Sequence, residues 1–286
     1  MAYQIITDSC CDFTSDKYQG LGLRVQPLTV NFRGASYPDY NDETLSRLYD
    51  GLRSGDVATT SAINPEGWSD TLRPVLEQGE DALVLAFSSG LSTTYQSAVI
   101  AAGELMEQFP GRTVLVCDTL SASLGQGLLV WYACKKRDEG LSLEELYRWV
   151  EETKLHLCHW FTVDDLMFLK RGGRVSAATA VIGTMLSIKP ILHVDDEGHL
   201  INVGKVRGRK ASIAELAKKM SELAGSYDNS TVFISHGDCR SEAEQLAQLV
   251  KQNCGVKEVY INYVGAVIGA HSGPGTLALF FLGDHR

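Results

Sequence analysis

Short apolar segments alternate with helical segments in the first half of the chain, and this pattern restricts the fold more than any other feature. Residues 82–87 and 113–117 have the length and apolar character of buried strands, and each precedes a polar loop and a segment of helical periodicity. Residues 5–7 are similar, residues 23–32 are expected to be extended up to a turn at Arg33-Gly34, and residues 59–65 are expected to form a loop. Strand, loop and helix repeated in this order predict a parallel sheet with helices on both faces.

The second half of the chain has a different pattern. Helix-opening capping boxes start at Ser142, Ser212 and Ser241. Strand-like segments occur at residues 191–194, 200–203, 231–235, 258–261 and 277–282. The turn Asp195-Asp196-Glu197-Gly198 joins the first two as a hairpin, so the sheet is expected to be mixed. We predict an α/β protein of two domains, a Rossmann-like parallel-sheet domain over residues 1–155 and a mixed-sheet domain over residues 156–286.

The charge balance excludes some partners. Lys and Arg total 26 against 35 Asp and Glu, a formal net charge of -9. Residues 1–155 hold 12 basic and 22 acidic side chains, whereas residues 156–286 hold 14 and 13. Nucleic acid or an anionic membrane surface as the main partner would need clustered cations, so neither is expected. Any surface that faces an anion is expected in the second half.

The expected location is the cytoplasm. The apolar runs are far shorter than the roughly 20 residues that span a bilayer, so no stable membrane insertion is expected. The first residues lack the basic and apolar regions of a secretory signal. Seven cysteines are scattered without a C-x-x-C pair, which is typical of reduced thiols.

Segments of small and polar residues stand at the ends of three predicted strands, at residues 8–12, 88–94 and 269–275. Ligands of open parallel sheets bind beyond the carboxyl ends of the strands. A helix that begins near Leu91 or Ser92 leaves its first amides unpaired beside several hydroxyl groups, a combination that favours an anion. The alternative, favoured when this segment is considered alone, is that Ser89 or Ser92 only caps the helix.

His271 is a further candidate because it lies among Gly269, Gly273 and Gly275, and closely spaced glycines let the backbone approach a ligand. A second hypothesis is a serine-dependent lipid or ester hydrolase in which Ser92 is the nucleophile, His271 the base and Asp8 the orienting group. Ser92 lies outside a G-x-S-x-G motif, which weakens this hypothesis. A regulatory binder of some other small acid is the third.

No cofactor or metal is predicted. The chain has no G-x-x-x-x-G-K-[ST] motif, and Gly125-Gln126-Gly127 lies inside a predicted helix, so nucleotide binding has little support. His156, Cys158 and His159 are metal-ligand types, but successive residues of a strand face opposite sides. Core or surface positions are therefore favoured over a zinc site.

Two basic segments lie in the second half, at residues 170–174 and 205–210. A run of charge is usually a solvated surface. On an acidic protein, these segments also provide a positively charged surface that suits a phosphorylated product or an acidic partner.

Taken together, the motifs resemble the DegV family of bacterial lipid-binding proteins, which includes the fatty-acid-binding subunits of fatty acid kinase. The matching motifs, in chain order, are Ile6-Thr7-Asp8-Ser9, Thr60-Ser61, the run from Phe87 to Ala98, Asp118-Thr119, Leu169-Lys170-Arg171-Gly172-Gly173-Arg174, Lys189-Pro190, Arg207-x-Arg209 and the run from Ile268 to Gly275. Family members often have Gln-Pro after the Thr-Ser pair, where this chain has Ala62-Ile63-Asn64-Pro65.

The resemblance implies a non-enzymatic carrier without a cofactor. It would bind a long-chain fatty acid and present the carboxylate to a separate ATP-dependent kinase subunit that makes the acyl phosphate. The implied carboxylate ligands are Thr60 and Ser92, with His271 nearby. Supporting positions are Ser61, Ser89, Gly90 and Thr93, and the implied kinase-docking residues are Arg171, Arg174, Arg207 and Arg209. The acyl chain is expected in the second domain, where Ile182, Met185, Leu186 and Ile188 are candidate wall residues.

Overall fold

The computed structural model describes residues 2–39, 42–176 and 187–286, with the side chains of residues 42–44 left aside. Its N-terminal part contains the strands β1 (Tyr3–Asp8), β2 (Arg24–Gln26), β3 (Thr29–Phe32), β4 (Ala35–Pro38), β5 (Ala58–Ser61), β6 (Asp81–Ala86) and β7 (Val114–Asp118). The helices of this part are α1 (Ser15–Gly20), α2 (Asp42–Arg53), α3 (Pro65–Glu77), α4 (Thr94–Gln108), α5 (Leu124–Asp138) and α6 (Leu143–Thr153).

The predicted parallel sheet is confirmed. Its strand order is β2-β1-β6-β7, and all three pairs are parallel. Every residue of β6 is buried because elements cover both faces of this central strand. Asn64 caps α3 by accepting a hydrogen bond from the Gly67 amide, and Pro65 occupies the first helical position.

A second, antiparallel sheet of order β4-β3-β5 was not expected. The predicted loop at residues 59–65 is wrong in its first part, because β5 pairs with β3 and places Thr60 opposite Val30. The predicted turn at Arg33-Gly34 is confirmed, and both residues have positive φ, as a two-residue hairpin of this kind requires.

The C-terminal part forms the predicted mixed sheet. Its strands are β8 (Leu157–Thr162), β9 (Ile188–Val194), β10 (Leu200–Arg207), β11 (Thr231–His236), β12 (Glu258–Tyr263) and β13 (Leu277–Leu282), in the order β10-β9-β8-β13-β11-β12. Only the β11–β12 pair is parallel among these. The helices of this part are α7 (Met167–Arg171), α8 (Arg209–Leu223), α9 (Arg240–Cys254) and α10 (Ala266–Ser272).

The local turn and cap predictions had mixed outcomes. The hairpin at residues 195–198 is confirmed, and Asp195 accepts hydrogen bonds from two backbone amides of this turn. The capping box at Ser142 is confirmed with both of its hydrogen bonds. The boxes at Ser212 and Ser241 are wrong: α8 begins at Arg209, so that Ser212 lies inside the helix and donates to the Arg209 carbonyl, and α9 begins at Arg240.

The two parts share one hydrophobic core. A cluster of buried residues that includes Leu83 and Leu128 of the first part also includes Phe161, Phe233 and Phe280 of the second. Helix α5 lies between the two sheets, since it packs against β8, β11 and β13 and also donates from Gln126 to the Leu85 carbonyl of β6 at 3.2 Å. The core therefore fixes one sheet relative to the other.

The junction is a 3-10 turn (Lys154–His156) between α6 and β8, and the expected division after residue 155 falls within it. Arg286 lies near this junction and donates to the backbone carbonyls of Leu120 at 2.7 Å and Asp195 at 3.0 Å. In the described parts of the chain, no helix is both long and apolar enough to cross a membrane. All seven cysteines are described, and each is unpaired.

Two helical glycines test the tight packing of α5. A Cβ at Gly125 would overlap Nε2 of His159 and lie 2.8 Å from the Phe280 ring, whereas a Cβ at Gly103 in α4 would meet nothing within 4 Å. Gly125→Ala should therefore lower the free energy of unfolding by about 1–3 kcal/mol. Gly103→Ala should raise it by about 0.5–1 kcal/mol, since alanine is the better helix former. Urea unfolding of both variants measures the difference, and equal effects would contradict this account of α5.

Candidate ligand-binding site

The centre of the site is a hydrogen bond between the two parts of the chain. Oγ1 of Thr60, on β5, lies 2.7 Å from Nε2 of His271, in the last turn of α10. The other ring nitrogen, Nδ1, lies against Gly172, where a Cβ would overlap it. Burial, together with the positive charge of Arg174, lowers the pKa of His271 to about 4. The imidazole is therefore neutral at pH 7 and offers one donor and one acceptor.

Arg174, which the sequence analysis placed among the docking residues, lies in the same site. Its Nε and Nη2 atoms donate to the Leu91 carbonyl at 3.2 and 3.1 Å, and Nη1 donates to the Gly172 carbonyl. The side chain is partly buried and lines the cavity described below, and burial lowers the pKa of the guanidinium. Arg174 thus joins the loop before α4 to the segment that supports His271.

Ser92 precedes α4, and its side chain both supports the start of the helix and lies in the cavity wall. Its Oγ lies 2.8 Å from Oγ1 of Thr94 and accepts from the Thr94 amide at 3.2 Å, so it supports the start of the helix. It also lines the cavity. Thr93, at the N-cap of α4, makes no side-chain capping bond, and its exposed side chain lies at the edge of the same cavity.

Gly90 lies against the turn between β9 and β10. A Cβ at Gly90 would lie 2.8 Å from the Gly198 carbonyl oxygen, so only glycine lets the β9–β10 turn approach this closely. Ser88 secures the same contact by donating to the Gly198 carbonyl at 2.8 Å. Ser89 donates through its amide to Asp118 at 3.1 Å, and its exposed side chain lies at the edge of the cavity.

Four other predicted residues lie outside the cavity lining. Ser61 is exposed and accepts from Asn31 at 3.3 Å. Arg209 is paired with Glu242 at 2.6 Å, so its charge is balanced internally. Arg171 and Arg207 are exposed, and the Arg171 guanidinium lies 5.3 Å from the centre of the Phe168 ring.

A cavity of about 470 Å³ extends from this polar group between the two parts of the chain. Thr60, Ser92, Arg174 and His271 all line it. Apolar side chains make up most of the rest of the wall: Leu28, Ala62, Phe87, Leu91 and Ala122 from the N-terminal part, and Phe161, Leu169, Val194, Leu200, Val264, Val267, Ile268, Ala278 and Phe280 from the C-terminal part. Of the candidate wall residues, Ile182, Met185 and Leu186 lie outside the described residues, and Ile188 does not line this cavity.

Several polar wall residues were not predicted, among them His159, Ser123 and Ser235. His159 is buried on β8, and its Nδ1 lies 3.0 Å from the Leu157 carbonyl oxygen. Burial lowers its pKa well below the ordinary value, so the ring is neutral. Ser123 and Ser235 are buried, lie 2.9 Å apart, and join the two parts where Ser123 also donates to Asp12. Of the three proposed metal-ligand types, His159 is thus a wall residue, while Cys158 donates to the His285 carbonyl and His156 lies 3.0 Å from that of Gly283.

The hydrolase relay is not formed. His271 Nε2 is bonded to Thr60, and Ser92 Oγ is bonded to the Thr94 hydroxyl. Asp8 does not orient His271, because its carboxylate accepts from the amides of Cys10 and Phe87 at 3.0 and 2.7 Å. A serine without a base lacks the activation that nucleophilic catalysis requires.

The neutral state of His271 can be tested by its titration. We expect the imidazole resonances, assigned with His271→Gln, to show protonation only near pH 4 in an NMR titration of the ligand-free protein. Since the folded pKa is lowered from 6.5, the contribution of His271 to stability is present above pH 6.5 and is lost as the pH falls through about 4. This contribution is on the order of 3 kcal/mol. Protonation near pH 6.5 would show that the ring is solvated.

Comparison with known proteins identifies the family. A family model described as "Uncharacterised protein, DegV family" matches residues 2–284. The chain is 43% identical to a DegV domain-containing protein of Clostridium perfringens, over 99% of this chain and 98% of the relative. It also resembles a solved structure of a DegV family protein from Thermus thermophilus that is described as binding fatty acid. The TM-score is 0.89 and the identity 36%, over 99% of this chain and 100% of that one. A structure described as a DegV lipid binding protein from Thermotoga maritima matches over 100% of both chains with a TM-score of 0.86 and 30% identity. The chain belongs to the DegV family.

Proposed function

We propose that this protein binds one long-chain fatty acid, with the carboxylate at Thr60, Ser92, Arg174 and His271 and the acyl chain in the apolar cavity. The observation that carries the proposal is the charge of the cavity wall. Among its described residues, Arg174 is the only side chain that is charged at neutral pH, because both wall histidines are held neutral by burial. One cation at the end of an apolar cavity favours one monoanionic head group on an apolar ligand.

The polar end has the groups that a carboxylate needs. A carboxylate removed from water stays ionised only if hydrogen bonds and opposite charge favour the charged form. The hydroxyls of Thr60 and Ser92 can donate, and the guanidinium contributes positive charge. Nε2 of His271 already lies within hydrogen-bond distance of Thr60, so the imidazole can orient that hydroxyl toward the ligand.

The apolar end supplies the affinity. Burial of an acyl chain of about fifteen methylenes gains roughly 12 kcal/mol, before the costs of ordering the ligand. The wall contains phenylalanine, leucine, isoleucine and valine from both parts of the chain, which suits a flexible tail without polar groups. The solved DegV structures of Thermus thermophilus and Thermotoga maritima, described as fatty-acid- and lipid-binding, support this assignment.

Native mass spectrometry of the purified protein should show a co-purifying long-chain fatty acid. Ser92→Ala removes one hydrogen bond to a charged group, about 1.5–3 kcal/mol, so fatty acid affinity should fall about 10- to 100-fold. The matched control is Ser54→Ala, at an exposed serine that follows α2. Titration of delipidated protein with a fluorescent fatty acid measures both variants. A nucleotide in place of the acid, or equal affinities for the two variants, would refute the proposal.

We also propose that the bound carboxylate is presented to a separate ATP-dependent kinase that forms the acyl phosphate. Ser89 and Thr93 are exposed and line the cavity, so the carboxylate end is accessible from outside, whereas Phe161 and Phe280 along the wall are buried. A second protein can therefore reach the carboxylate while the tail stays enclosed. The exposed cations Arg171 and Arg207 are the proposed docking residues. An ATP-dependent partner and seven unpaired cysteines both fit the reducing cytoplasm.

The docking residues are tested with the double variant Arg171→Glu/Arg207→Glu. Acyl phosphate formed with a purified fatty acid kinase subunit and ATP, trapped as the hydroxamate, should fall at least about tenfold, because like charges then oppose an acidic partner. Fatty acid affinity should not change, since both side chains lie outside the cavity lining. Lys257→Glu, which makes the same charge change at an exposed residue before β12, is the control. Loss of phosphorylation in the control, or none in the double variant, contradicts this docking surface.

A further inference from the structure

Helix α10 is the element of the C-terminal part that enters the N-terminal part. It packs against α2, β3 and β5. Val267 and Ile268 of its first turn line the cavity, and His271 of its last turn bonds to Thr60. Since a helix rises about 1.5 Å per residue and is stiff over this length, Val267 and His271 are about 6 Å apart along the axis and move together.

The first turn of α10 is held by a buried aspartate from the other part. Asp39 follows β4 and is 6% exposed. Its Oδ1 accepts from the Val267 amide at 2.6 Å, and its Oδ2 accepts from the Ser9 hydroxyl at 2.9 Å. The backbone of Asp39 is itself fixed, because its amide donates to the Leu28 carbonyl at 3.1 Å. The carboxyl group therefore links a fixed point of the N-terminal part to the first turn of α10.

Two other contacts with the N-terminal part lie just before α10. A Cβ at Gly265, the N-cap, would lie 2.5 Å from Oδ1 of Asp12 and 3.3 Å from Oδ1 of Asp39. The Tyr49 hydroxyl donates to the Val264 carbonyl at 2.8 Å. Both contacts precede the helix, whereas Asp39 reaches into its first turn, where its carboxyl group interacts with the amides of Val267 and Ala266.

Burying the carboxyl group of Asp39 costs free energy. Burial raises the pKa of Asp39 to about 7, and the carboxylate of Asp8 adds to the effect. A buried ionisable group without a cation costs more than a neutral one, so packing alone does not explain it. An acceptor of the right length for the Val267 amide does explain it, because an unpaired buried amide is also costly.

We propose that Asp39 is a positioning residue of the ligand site: by holding the Val267 amide, it sets α10 so that His271 lies against Thr60. This proposal rests on the proposed function in one respect: the site that Asp39 positions is the one that binds the fatty acid. Asp39 itself is absent from the cavity lining, so its effect on a ligand must pass through α10.

Three variants test the role of Asp39. Asp39→Ala removes the acceptor, so we expect at least about tenfold weaker binding of a fluorescent fatty acid and a His271 titration that moves from about pH 4 toward 6.5. Asp39→Asn keeps a carbonyl oxygen at the same length and should restore both readouts to near those of the wild type. Asp81→Ala is the control, at a buried aspartate that accepts from the Thr113 amide at 2.9 Å where β6 begins, and it should leave the His271 titration unchanged.

The outcomes separate this proposal from the proposed function. If Asp39→Ala is folded and its His271 titration and fatty acid affinity equal those of the wild type, the positioning role is refuted. If Asp39→Ala does not fold, Asp39→Ser, which keeps a polar partner for Ser9 but is too short for the Val267 amide, decides by the same two readouts. If the wild type binds no fatty acid, the proposed function fails, whereas the His271 titration still decides whether Asp39 positions α10.

Discussion

Close packing between the two parts of the chain is the constraint on which the rest of the structure depends. Helix α5 fills the space between the parallel and mixed sheets, and Gly125 lets its backbone touch His159. On the opposite side, α10 extends from the mixed sheet into the N-terminal part and carries His271 to Thr60. The cavity lies between these contacts, and its wall comes from both parts. Since neither part alone forms the wall, the cavity is a property of the interface.

In the proposed function, the polar end of the cavity combines two kinds of groups that can bind an anion. Neutral hydroxyls such as those of Thr60 and Ser92 avoid the desolvation cost of a buried cation, and the sequence favoured them alone. The structure adds Arg174, which is only partly buried and donates hydrogen bonds to the Leu91 and Gly172 carbonyls. These bonds hold the guanidinium in place, so the carboxylate of the proposed ligand would meet a fixed charge rather than a mobile one.

The sequence predicted the fold where local patterns decide it and missed features that long-range contacts decide. The buried β6 strand and the Ser142 cap follow from apolar runs and capping residues, and both are confirmed. The serines at 212 and 241 carry the same capping signature, yet both helices begin earlier in the chain. Strand β5 is polar, and only its pairing with β3, about thirty residues earlier, makes it a strand.

The site shows the same division. Thr60, Ser92 and His271 line one cavity, and the family resemblance pointed to these three. Arg174 was expected on a docking surface for the kinase, and its contact with Leu91, 83 residues away in the chain, could not be read from the local sequence. His159 and the Ser123–Ser235 pair gave no local signal, since a buried polar residue on a strand looks like any other in the sequence. The one available clue was Gly125, whose place inside a helix indicates close packing against something.

Burial shifts the pKa values of the carboxyl groups and of the histidines at the interface in opposite directions, and both shifts favour the uncharged forms. The pKa values of Asp8 and Asp39 are raised by burial to about 6 and about 7, so their contribution to stability is complete below their ordinary value of 3.8 and is lost as the pH rises through 6 and 7. Burial lowers the pKa values of His271 and His236 to about 4. The contribution of these histidines to stability is therefore present above pH 6.5 and is lost as the pH falls through 4. Between about pH 4 and 6 the carboxyl groups and the imidazoles are therefore both uncharged. On the cavity wall, Arg174 is the described side chain whose charge an incoming anion would meet, and a single carboxylate would balance it.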